Sequence, residues 1–149
     1  MYLERKELLS AYYWLVDLFS SSPFVNVEIG FPDVSLVTPT VSVEWEFIES
    51  SPFEIGNREQ IKEIRYSFDV FAKDKAQRDE YIFKIFNELN SGISVYDYDE
   101  GFPPLVSPTR LGCLIPLRKN AKNIPVLPHL TKELYYRASI TVIMVYDKI

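Results

Sequence analysis

The chain has 149 residues, 47% of them hydrophobic and 15% aromatic, with 10 Tyr, 10 Phe and 2 Trp but only 5 Gly. That is the length of one ordinary domain with enough apolar material for a packed core, which excludes disorder throughout. A formal net charge of −5 with a single histidine argues against a protein that grips phosphate backbones through clustered Lys and Arg. The lone cysteine excludes an internal disulfide and points to a reducing compartment.

The opening run MYLERKELLS mixes charges through its apolar residues and reads as neither a signal peptide nor a membrane span, so a chain folded in a cytoplasm is expected. From Tyr2 to Phe19 the spacing predicts an amphipathic helix with Leu9, Tyr12, Tyr13, Val16 and Phe19 on its apolar face. Ser20, Ser21, Ser22 and Pro23 stop it. Between Phe24 and Pro39 a short strand carrying Val25, Val27 and Ile29 is expected, followed by a loop.

From Thr40 the alternation is strict. Val41, Val43, Trp45 and Phe47 point one way and Thr40, Ser42, Glu44 and Glu46 the other, as in a half-buried antiparallel strand. The segment Glu49 to Glu63 has no period and reads as a long loop or extended hairpin tip. A second alternating strand follows, with Ile64, Tyr66, Phe68 and Val70 on one face.

Lys73 to Leu89 switches to helical spacing, with Ala76, Ile82, Phe83, Phe86 and Leu89 as its stripe, and Asn90, Ser91 and Gly92 end it. Three strand candidates remain, Ile93 to Tyr98, Leu111 to Leu117 and Leu134 to Asp147, separated by long loops at Asp99 to Arg110 and Arg118 to Lys132. The expected fold class is α+β, a single domain over residues 1–149: one mixed, mainly antiparallel sheet with two main helices packed on one face. Its core is expected to draw on Trp45, Phe47, Tyr66, Phe68, Phe83, Phe86, Ile140 and Val142.

No constellation in the chain carries chemistry. The one histidine, His129, lies in a proline-rich loop far in sequence from Cys113, whose apolar strand LGCLIPL suits a buried small hydrophobe better than a nucleophile. Asp97, Asp99 and Glu100 before Gly101 faintly resemble a calcium loop, but the sixth and twelfth positions counted from Asp97 are Phe102 and Pro108, where glycine and a bidentate Glu belong. Asp33, Glu44 and Glu46 lack the lysine of a nuclease metal site, and the glycines are scattered singly, so no phosphate loop exists. No enzyme activity, cofactor or bound metal is expected.

The N-terminal helix, the PTVSVEWEF strand, the RYSFDVFAKDKAQRDEYIFKIFNEL strand-then-helix unit and the terminal strand YYRASITVIMVYDKI together resemble tail terminator proteins of tailed bacteriophages, in layout over most of the chain. The resemblance implies a virion protein of the tail and neck, assembled in the bacterial cytoplasm, that forms a ring, usually a hexamer. The ring caps the tail tube, joins it to the head-side connector and lets DNA pass through its lumen without specific binding; no membrane is involved. An acidic subunit suits such a lumen, because like charge repels phosphate. Another neck or head completion subunit, or a small ligand-binding module or enzyme, is the alternative. The expected subunit contacts are Phe53 and Ile55 in the first long loop and Phe102 and Leu105 in the second.

Overall fold

The computed structural model describes residues 1–22, 24–30, 38–52, 60–124 and 136–148. Helix α1 spans Leu3–Leu18 and helix α2 Lys75–Glu88, the latter continued by a single 3₁₀ turn at Leu89–Ser91. The strands are β1 (Asn26–Ile29), β2 (Thr40–Pro52), β3 (Gln60–Ala72), β4 (Ile93–Tyr96), β5 (Arg110–Ile124) and β6 (Tyr136–Lys148). They form one sheet in the order β1-β2-β3-β6-β5-β4, parallel only between β1 and β2. The α+β class and the mainly antiparallel sheet stand as the sequence led us to expect.

Both helices pack on the same face. One apolar cluster joins Leu8, Ala11 and Leu15 of α1 and Ile82 and Ile85 of α2 to Val41, Val43, Tyr66, Phe68, Val70, Ile140, Val142 and Met144 of the sheet. Asp74 caps α2: its side chain accepts from the Gln77 amide at 2.8 Å, while Gln77 Oε1 accepts from the Lys73 amide at 2.9 Å. The exchange satisfies two donors that a helix start otherwise leaves open. Gly92, at φ 75°, turns the chain from the 3₁₀ turn into β4, a conformation that side chains with a Cβ rarely adopt.

Several expectations of facing are corrected. In α1 the buried stripe is Leu8, Ala11, Leu15 and Phe19, while Tyr12, Tyr13 and Val16 are only half-buried. Both stripes have helical period, and alanine at position 11 lets the helix come closer to the sheet than a tyrosine there would. In α2 the sheet-facing residues are Ile82, Ile85 and Leu89. Phe83, 58% exposed, points away, Ala76 is exposed, and Phe86 is partly buried under the Lys119 ammonium, 4.0 Å from its ring.

Strand β2 departs from its alternation through a β-bulge. Trp45 pairs with Tyr66, but Phe47, not Glu46, pairs with Arg65. One extra residue reverses every later side chain. Phe47 therefore lies on the helix-free face, 51% exposed, and Ile48 takes the helix-side position opposite Ile64. Trp45 keeps its predicted face, yet is 50% exposed beside a hollow under the first turns of α1. Of the eight expected core residues, Tyr66, Phe68, Ile140 and Val142 are fully buried.

The strands are also longer than their patterns. β2 runs to Pro52 and β3 starts at Gln60, so most of the first long loop is hairpin. β5 continues through Arg118–Ile124, which the sequence reading placed in a loop. Backbone pairing, not apolar alternation, sustains both extensions.

Candidate interaction surface

The helix-free face of the sheet is ordered by register. Phe47, Arg65, Ile143 and Arg118 form one cross-strand row, Glu44, Ser67, Thr141 and Asn120 the next, and Ser42, Asp69, Ser139 and Lys122 the one after. Arg65 lies over the Phe47 ring at 5.8 Å. Arg65, Arg118, Lys119, Asn120, Thr141 and Ile143 line an open hollow of about 420 Å³. The polar rows are partly closed: Ser67 and Ser139 are buried, with their hydroxyl oxygens 3.4 Å apart.

On the helix side, Tyr2, Glu4, Arg5, Leu8, Trp45, Ile48, Ile64 and Tyr66 line a second hollow of about 290 Å³. Beside it lies Glu7, whose side chain is 0% exposed and whose carboxylate oxygens accept no hydrogen bond. Lys62 Nζ stands 3.7 Å from Glu7 and 3.0 Å from Glu4. Loss of hydration dominates, so the Glu7 carboxyl is pushed up to about 7 despite the lysine, with Glu4 adding to the rise. Burial, with Glu7 close by, also pushes the Tyr66 hydroxyl well above its ordinary value.

The acidic turn singled out in the sequence is tied to α1. Lys6 Nζ lies 2.9 Å from both Asp97 and Asp99, and the N-terminal amine lies 3.1 Å from Asp99. Hydrogen bonds from Lys6 and from the N-terminus lower the Asp99 carboxyl. Among the described residues no group of three His, Cys, Asp or Glu side chains is placed to hold a metal ion. Cys113 is half-buried on β5; His129 and Asp33 lie outside the described residues. No helix among the described residues is long and apolar enough to cross a membrane.

The expected contact residues divide. Phe53 and Ile55 lie outside the described residues. Phe102 stacks on Tyr98 with centroids 5.8 Å apart, and Tyr98 stacks on Tyr13, so Phe102 is half cover for its own loop and half exposed. Leu105, 95% exposed, covers nothing. Missed by the sequence reading are Trp45, Phe47 and Ile48 on β2, and Ile115 and Leu117 on β5, all exposed large hydrophobics on the two long strands.

The two flanks of the sheet are unlike. β1 pairs with β2 only over Thr40–Val43, and β4 with β5 only over Arg110–Leu114. Among the described residues no strand pairs with the outer side of β2 at residues 45–49 or of β5 after Leu114, and both stretches are largely exposed. In comparison with known proteins, no family model matches the chain and no curated protein matches it.

Proposed function

We propose that the chain is a structural subunit of the tailed-phage neck, a tail terminator that forms a ring on the end of the tail tube and joins it to the head-side connector. The observation that carries this reading is the pair of dissimilar sheet flanks, each with exposed large hydrophobics on its long strand. A ring of identical subunits needs on each copy two different surfaces that fit one another, because every contact around the axis joins one surface to the other. Exposed aromatic and aliphatic side chains mixed with arginine are the composition of an interface centre. The layout resemblance to tail terminators supplies the tail tube and connector as the partners, with DNA passing through the lumen.

Mass measurement by light scattering, on the purified protein alone and with its tail tube protein, tests the reading. A closed multimer is expected in at least one of the two. Reconstruction of the particle is expected to place the ring at the head-proximal end of the tail, and a position on the head vertex would favour a head completion subunit instead. A protein monomeric at high concentration in both preparations, and absent from the neck, overturns the proposal.

A further inference from the structure

Leu105 is the most exposed large hydrophobic among the described residues, yet the turn that carries it is tied to the fold at several points. The Val106 amide donates to the Phe102 carbonyl at 3.0 Å, and the Thr109 amide donates to Glu100 Oε2 at 3.1 Å. Gly101, at φ 134°, leaves room for the Val106 side chain, which a Cβ there would meet at 2.7 Å. Before the turn, Asp97 and Asp99 are held by Lys6, and Tyr98 stacks between Tyr13 and Phe102. A turn already ordered gives up little freedom when a partner encloses it.

The hollow under the first turns of α1 has the matching character. Leu8, Trp45, Ile48, Ile64 and Tyr66 give it apolar walls, and Trp45 is still half exposed there. An apolar cavity of about 150 Å³ already accepts benzene. At about 290 Å³ the hollow has room for a leucine side chain and part of its turn. The charges agree as well. Of the two charged residues lining the hollow, Glu4 is engaged by Lys62, whereas Arg5 is exposed and enters no ion pair among the described residues. Glu100, on the turn, is likewise exposed and meets no cation among them.

We propose that Leu105 of one copy enters the hollow beside Trp45 of the next copy, with Glu100 of the first paired to Arg5 of the second. The proposal rests on the ring reading above and names the contact that builds it. Turn and hollow lie on opposite sides of α1. Lys6, Ser10 and Tyr13 face the turn and β4: Lys6 pairs with Asp97, Ser10 Oγ accepts from the Tyr96 amide at 3.2 Å, and Tyr13 stacks on Tyr98. Leu8 is two residues from both Lys6 and Ser10, and two residues turn a helix through about 200°. Leu105 stays exposed in its own chain, so the hollow it fills belongs to a neighbour. Each copy then gives a turn on one side and receives one on the other, which is the arrangement that repeats around an axis. A tryptophan wall closing on an apolar anchor, with a charged pair beside it, has the make-up of an interface centre.

Light scattering over a dilution series, in whichever preparation forms the multimer, tests the contact. Leu105→Ser is expected to raise the concentration at half assembly at least about tenfold, as the lost burial of one leucine implies. Ile48→Arg, which fills the hollow from an exposed position, should do the same. Arg5→Ala should weaken assembly at low salt and match wild type at high salt, where the pair is screened. Circular dichroism of all three should be that of wild type. As a check that does not depend on loss of assembly, a Cys113→Ser chain carrying both Leu105→Cys and Ile48→Cys should link on oxidation into whole multiples of one chain, and neither cysteine alone should do so. A multimer that survives Leu105→Ser or Ile48→Arg undiminished refutes the docking and leaves the ring standing, and so does a double-cysteine chain that stays unlinked. An Arg5→Ala effect that salt does not remove overturns the pairing with Glu100. A wild-type chain monomeric with and without its tail tube protein removes the ring reading and this proposal together.

Discussion

Replacing Glu7 by Gln probes a carboxylate that the fold buries without a hydrogen bond. Its carboxyl rises from an ordinary 4.5 to about 7 because desolvation outweighs Lys62. The folded state thus holds a proton that the unfolded state has already lost. Stability from this group is fully present below pH about 4.5 and is lost as the pH rises through about 7. At 1.36 kcal/mol per unit, the contribution is about 3 kcal/mol. Gln cannot ionise, so the stability of Glu7→Gln relative to wild type is expected to rise by about 3 kcal/mol between pH 4.5 and pH 8. In urea that difference moves the midpoint by about 1–3 M. Measuring both proteins at each pH cancels the titration of all other groups. Midpoint curves that stay parallel across the window would refute the reasoning, as would a variant that loses ground to wild type at pH 8. The latter would mean that the Lys62 pair outweighs the burial cost.

Phe68→Ala removes a fully buried ring and is expected to cost about 3–5 kcal/mol, whereas Phe83→Ala should stay within about 0.5 kcal/mol; equal melting temperatures for the two would show the α2 facing to be wrong. Leu105→Ser is expected to leave thermal unfolding unchanged, while Phe102→Ser loses its stack on Tyr98, worth about 0.5–1.5 kcal/mol. Gly92→Ala places a Cβ 2.8 Å from the Leu114 carbonyl oxygen at a positive φ, and a loss of at least about 1 kcal/mol should appear in urea titration.

The registers and hydrogen-bonded extensions explain why some of this was legible beforehand and some was not. Ile64, Tyr66, Phe68 and Val70 alternate without interruption and are all buried, because β3 has partners on both sides and no bulge within that run. Trp45 and Phe47 looked like a continuation of Val41 and Val43. A bulge takes a single residue out of the ladder, and nothing in EWEF distinguishes the extra residue from its neighbours. The contact surface was legible only in part: the loop carrying Leu105 was correctly placed in the open, but the exposed hydrophobics of β2 and β5 were hidden inside strands read as core or as loop.

Local period alone determined the two helices and most of the strands seen among the described residues, where the second helix starts and stops, and that the class is α+β. Those features depend on residues a few positions apart, through caps, turns and the spacing of apolar side chains. The tertiary structure decided which helical stripe meets the sheet, since Leu8–Ala11–Leu15 and the tyrosines beside it have the same period and only the closeness of packing separates them. It also decided that Glu7 is buried, that β2 and β5 outrun the short strands β1 and β4, and that the acids of β2 and the bases of β5 lie toward opposite flanks of the sheet. Strand pairing joins residues far apart in the chain, and which strands lie toward the flanks depends on the order of the whole sheet.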